Sequence, residues 1–160
     1  MRTTMRAAAW TAVIVSGLAL LAGTGVAGAT PLVRTAQNAK LNTKVLINRS
    51  GRTLYHLSVE HKGHFICSNT ACLSLWHPLI VAKGTKPMGT VSLGTVMRPD
   101  GRTQVTYKGG PLYTFDQDTK RGDVKGEGFR DVGVWHAATV GAAATTSSGS
   151  GSGRYGGYGG

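Results

Sequence analysis

Two stretches decide the fold: GRTLYHLSVE at Gly51–Glu60 and GGPLYTFDQD at Gly109–Asp118. Each leaves a glycine turn, enters a Leu-Tyr pair and arrives at an acidic residue. Sliding the chain on itself by 58 places Ile47 on Val105, Gly51 on Gly109, Leu54 and Tyr55 on Leu112 and Tyr113, Leu57 on Phe115, and Glu60 on Asp118. Trp76 then falls within one residue of Trp135. Self-similarity at a fixed offset marks one supersecondary unit used twice, each copy leaving an apolar face that the other covers, face to face or edge to edge. The two Gly-Arg-Thr triplets, at Gly51 and Gly101, offer a different offset. That register brings no second Leu-Tyr pair, so it reads as repeated turn chemistry.

Outward from these stretches, short β-prone runs alternate with turn signals. KVLIN (44–48) precedes Ser50-Gly51, TVSLGTVM (90–97) precedes Pro99-Asp100-Gly101, and TQVTY (103–107) precedes Gly109-Gly110-Pro111. Asp-Gly and Gly-Gly between such runs are hairpin signals, and no segment sustains a period near 3.6. The expected fold is mostly β: two related antiparallel β units packed with pseudo-twofold symmetry, as a small sandwich or a barrel-like body. Residues 44–140 form that domain, with copies at about 44–80 and 102–138. Its core is expected from Leu54, Tyr55, Leu57, Trp76, Val105, Tyr107, Leu112, Tyr113, Phe115 and Trp135.

The flanks have other compositions. Residues 1–29 carry Arg2 and Arg6, an apolar run from Ala7 to Leu21, and a small-residue end at Ala27-Gly28-Ala29. This is the pattern of a secretory signal peptide cleaved after Ala29, which leaves no transmembrane segment in the mature chain. Residues 30–43 read as a flexible lead-in, and the Gly/Ser/Tyr-rich residues 141–160 as a disordered tail. The formal charge is +11, or about +9 once the two signal arginines are removed. Outside a cell such a surface attracts anionic envelope polymers. The basic residues are scattered, with no run of about five or six like charges and no nucleic-acid motif, so no specific nucleic-acid partner is expected.

Together these residues resemble a family of secreted or lipoprotein repeats of unknown function marked by a Tyr-x4-Asp motif. The first copy is carried by Gly51, Leu54, Tyr55, Leu57, Glu60, Cys67, Cys72, Trp76 and Pro78. The second is carried by Gln104, Val105, Thr106, Tyr107, Gly109, Pro111, Leu112, Tyr113, Phe115, Asp118, Gly122, Asp123, Gly126, Gly128 and Trp135. Three features depart from the pattern: Glu60 replaces the first Asp, His77 interrupts Trp-Pro-Pro, and no cysteine stands at the signal cleavage point to take a lipid. The resemblance implies an exported module without an established reaction.

Chemistry-bearing residues concentrate after the first Leu-Tyr pair. In an exported chain Cys67 and Cys72 most simply form a disulfide. Four intervening residues in a β setting do not supply the helix N-terminus that a redox Cys-x-x-Cys uses. His61, His64 and His77 alternate with the cysteines in ligand-like spacing, so the competing reading is a Zn or Cu protein, or one holding a redox cofactor, built on this loop. The preferred reading has no cofactor.

The Tyr-x4-acid motifs, Tyr55 with Glu60 and Tyr113 with Asp118, read as structural, the rings in the seam between copies and the carboxylates capping turns. A calcium cluster adding Asp116 and Asp123 is the functional alternative. Lys120 and Arg121 intrude on that loop, and no Glu stands at the bidentate position of an EF-hand. Nucleophile-elbow and phosphate-loop patterns are absent. The expectation is a noncatalytic surface-associated binding module, with a hydrolase as a weaker alternative.

Overall fold

The computed structural model describes residues 30–141. The expectations for the signal peptide and for residues 142–160 lie outside the described residues. Within the described residues eleven strands and one short helix follow in the order β1 (Val33–Asn38), β2 (Thr43–Asn48), β3 (Tyr55–Leu57), α1 (Thr70–Leu75), β4 (Trp76–Pro78), β5 (Ile80–Val81), β6 (Gly94–Met97), β7 (Thr103–Tyr107), β8 (Gly110–Pro111), β9 (Tyr113–Phe115), β10 (Trp135–Ala137) and β11 (Thr139–Val140). The fold is mostly β with antiparallel pairing, as the alternating runs require. Its strands form three small sheets, ordered β1-β2-β11, β10-β3-β9-β4 and β5-β7-β6, with β8 paired to β7. These sheets do not close into a barrel.

The central sheet reads the same from either edge. Tyr55 of β3 pairs with Tyr113 of β9 at its middle. On one side Trp135 and Ala137 of β10 pair with Leu57 and Tyr55. On the other, Trp76 and Pro78 of β4 pair with Phe115 and Tyr113. The tryptophan strand that follows each Leu-Tyr segment in sequence is therefore paired with the Leu-Tyr strand of the opposite half.

Backbone hydrogen bonds at the corners repeat this exchange. Leu46 N–H donates to Ala138 O (2.7 Å), Ala138 N–H to Leu54 O (2.8 Å) and Leu54 N–H to Leu46 O (2.9 Å), closing a ring of three. Val105, Leu79 and Leu112 close an equivalent ring, each bond at 2.9 Å. The corners turn without leaving buried amides unpaired. The flanking sheets correspond too: β11 lies on β2 as β5 lies on β7.

Alternation along the strands divides the core. Tyr55, Leu57, Tyr113, Phe115, Trp76 and Trp135 face one aromatic cluster with Val45, Cys67 and Ala137. Leu54 and Leu112 face a second, aliphatic cluster with Val33, Leu46, Val105 and Ala138. Nine of the ten expected core residues are buried, and Tyr107 is half-buried at the margin of the second cluster.

Three boundaries need correction. Residues 30–43 are not a flexible lead-in, because Val33–Asn38 pairs with β2 over its whole length and Val33 is fully buried. The polar composition VRTAQN hides this strand, whose burial comes from its partners. Both units consequently begin before residues 44 and 102, at β1 and at β6. The segment after Cys67 carries a helical turn, α1, where the side chain of Asn69 accepts the Cys72 N–H as its N-cap. Both Gly-Arg-Thr triplets do lie in turns, Gly51 at φ 83° and Gly101 at φ 80°, a left-handed conformation that glycine adopts without steric cost.

Candidate functional site

The motif tyrosines and acids meet across the seam, each with the partner from the opposite half. Tyr55 Oη donates to Asp118 Oδ2 at 2.6 Å, and Tyr113 Oη donates to Glu60 Oε2 at 2.8 Å. Both carboxylates also cap turns. Asp118 Oδ1 accepts Lys125 N–H at 2.9 Å, and Glu60 Oε1 accepts Ile66 and Cys67 N–H at 2.7 and 2.6 Å. Asp118 and Glu60 are buried, at 0% and 5% exposure, so these charge-assisted bonds compensate their desolvation. Burial first, and then the facing carboxylate, push both phenol pKa values far above the ordinary tyrosine value.

Arg98 completes this centre. Its guanidinium is buried, donates to Gln104 Oε1, to Tyr113 Oη (3.1 Å) and to Cys67 O (2.7 Å), and lies 4.9 Å from the centre of the Phe65 ring. Reading the sequence missed it, because an Arg beside Pro-Asp-Gly looks like an ordinary turn charge. The adjacent Asp100 is exposed, and its hydrogen bond from Arg102 pulls its pKa down to about 2.

Cys67 and Cys72 are joined in a disulfide, Cα atoms 5.4 Å apart, which leaves no thiolate on this loop for a metal. His61 and His64 stack on each other with ring centres 5.1 Å apart. His77 sits on β4, with Nε2 3.3 Å from Asp116 Oδ1. Among the described residues no group of three or more His, Cys, Asp or Glu side chains is placed to hold a metal ion. The three histidines singled out by spacing are thus not gathered into a common ligand set. Asp123 Oδ2 accepts the Lys120 and Thr119 amides, which lowers its pKa and gives this carboxylate a turn-capping role.

The structure pairs two histidines that spacing did not single out. His56 and His136 face each other across β3 and β10, ring centres 6.0 Å apart. Burial, and next the neighbouring His136, lower the pKa of His56.

Of the described residues, twelve lysines and arginines are exposed, against three acids, Asp100, Asp116 and Asp131. Two of the three are engaged by neighbours, Asp100 by Arg102 and Asp116 by His77. The second half of this architecture carries Arg98, Gln104, the Tyr113–Asp118 motif, Gly126 and Trp135 in one run of chain. Residues 94–139 match the model of a family described as a secreted repeat of unknown function. The matched segment runs from the first residue of β6 to the first of β11. Residues 33–81 lie outside it, and their strand pairings follow those of the matched half. No curated protein and no solved structure matches the chain. Among the described residues no helix is long and apolar enough to cross a membrane.

Proposed function

We propose that the protein is an exported, noncatalytic binding module that associates with anionic polymers of the cell envelope. The observation that carries this reading is the asymmetry of the surface: the fold turns Glu60 and Asp118 inward as cross-seam acceptors and leaves twelve basic side chains outside. Such a field draws polyanions without a shaped pocket and is screened by salt. The motif residues Tyr55, Tyr113, Trp76 and Trp135 are fully buried, so they serve the fold and leave recognition to the surface. The match to a secreted repeat supports an extracellular setting.

Co-sedimentation with phosphate-bearing wall material tests the proposal. Raising salt from ~0.1 to ~1 M shortens the Debye length from about 10 Å to about 3 Å. Retention is expected to collapse over that range and to be absent on a neutral polysaccharide. Retention that ignores salt, or that is equal on the neutral polymer, contradicts the reading.

A further inference from the structure

His56 on β3 and His136 on β10 are direct cross-strand partners, so both side chains leave the central sheet on the same face. Their ring planes are inclined by 42°. His136 Nδ1 lies 2.9 Å from Glu127 Oε1, while Glu127 Oε2 accepts the Ala137 N–H at 2.7 Å. The carboxylate is fixed by the backbone and accepts a hydrogen bond from the Nδ1–H of the ring. That fixes the tautomer and leaves the Nε2 lone pair of His136 free to act as a ligand.

We propose that His56 and His136 form a two-histidine site for a borderline divalent transition ion, Zn²⁺ or Cu²⁺. Glu127 is the outer carboxylate that orients His136, and water fills the remaining coordination positions. Two imidazoles bound at about 2.0 Å to one tetrahedral ion have ring centres roughly 5 Å apart. The observed 6.0 Å is close to that value, so that only a small rotation of the two side chains is asked of the site. A cleft of about 410 Å³ lined by His56, Glu127, His136, Thr43 and Thr139 gives the ion and its waters room.

Among the described residues the site occurs once. At the corresponding place in the other half His77 pairs with Thr114, so only one imidazole is present. His61 and His64 also stand close together, but among the described residues no carboxylate fixes either ring. This site is independent of the polymer-binding reading, since it uses none of the exposed lysines and arginines.

The test titrates the full, disulfide-bonded chain with Zn²⁺ alone and with Cu²⁺ alone. Calorimetry gives the affinity, and histidine ring resonances report the ligands. One equivalent is expected to bind, moving the His56 and His136 resonances together. His56→Thr, which installs the residue that the other half carries, is expected to weaken binding at least ~10-fold. Glu127→Gln keeps both ligands and is expected to weaken it ~10- to 100-fold. The His61→Ala, His64→Ala double variant is expected to bind as the parent does. Near-UV circular dichroism establishes that each variant is folded. Failure to bind either ion at millimolar concentration, parent affinity in folded His56→Thr or Glu127→Gln, or loss of binding in the His61, His64 variant overturns the proposal.

Discussion

The indoles of Trp76 and Trp135 stack with ring centres 3.7 Å apart and planes 7° from parallel, one from each half of the molecule. Around them Phe115 stacks on Trp76 at 4.3 Å and Tyr113 meets Trp135 edge-on at 5.1 Å. Trp135 is fully buried, and its indole N–H has no hydrogen-bond partner among the described residues. Trp135→Ala is expected to cost ~3–5 kcal/mol, as aromatic-to-alanine changes in cores do. Trp135→Phe keeps an aromatic partner and removes an uncompensated donor, so it is expected to cost clearly less. Urea unfolding of the two variants checks the order.

Gly126 brings the backbone close against this stack. A Cβ added there stands 2.7 Å from the edge of the Trp76 ring and 3.0 Å from Tyr55. Both rings are locked by packing, so Gly126→Ala is expected to cost ~1–3 kcal/mol through overpacking. The near-UV circular dichroism of the stacked indoles is expected to change with it. Parent stability together with a parent spectrum contradicts this.

The disulfide contributes locally. Closing so short a loop is worth about 2 kcal/mol in the chain-entropy model. Arg98 and Glu60 hold the Cys67 carbonyl and amide independently of the bond. Reduction is therefore expected to lower stability by about that amount while strand content persists, which denaturant titration with and without reductant measures.

Alkaline pH loosens the seam. The pKa values of Tyr55 and Tyr113 are raised in the folded state by burial and by the facing carboxylates. Each contributes stability that is complete below the unfolded-chain value near ~10 and is lost as pH rises beyond it, by up to about 1.4 kcal/mol per pH unit for each phenol. Melting temperature should fall above about pH 10, and Tyr55→Phe or Tyr113→Phe should flatten that limb relative to the parent.

The two Leu-Tyr strands are legible because Leu54-Tyr55 and Leu112-Tyr113 alternate between two apolar clusters, and alternation leaves a periodic trace in sequence. Other features carry no such trace. The exchange of partners is a tertiary fact: local spacing sets Tyr55 beside Glu60, whereas the crossing of the halves sets it against Asp118. Val33–Asn38 is polar along most of its length and becomes a strand through its pairing with β2. His56 and His136 directly follow motif residues, Tyr55 and Trp135, but only the register of β3 on β10 makes them neighbours. Spacing along a loop favoured His61, His64 and His77 instead.

A double-mutant cycle on the seam tests whether the Tyr-x4-acid motif locks one half to the other. Tyr55→Phe and Asp118→Asn, alone and together, are expected to show a coupling of about 1.5–3 kcal/mol, the range for a hydrogen bond to a charged group. The same cycle on Tyr55 and Glu60, neighbours in sequence but not partners in the fold, is expected to give a coupling near zero. Coupling of Tyr55 to Glu60 and not to Asp118 would contradict the exchanged architecture.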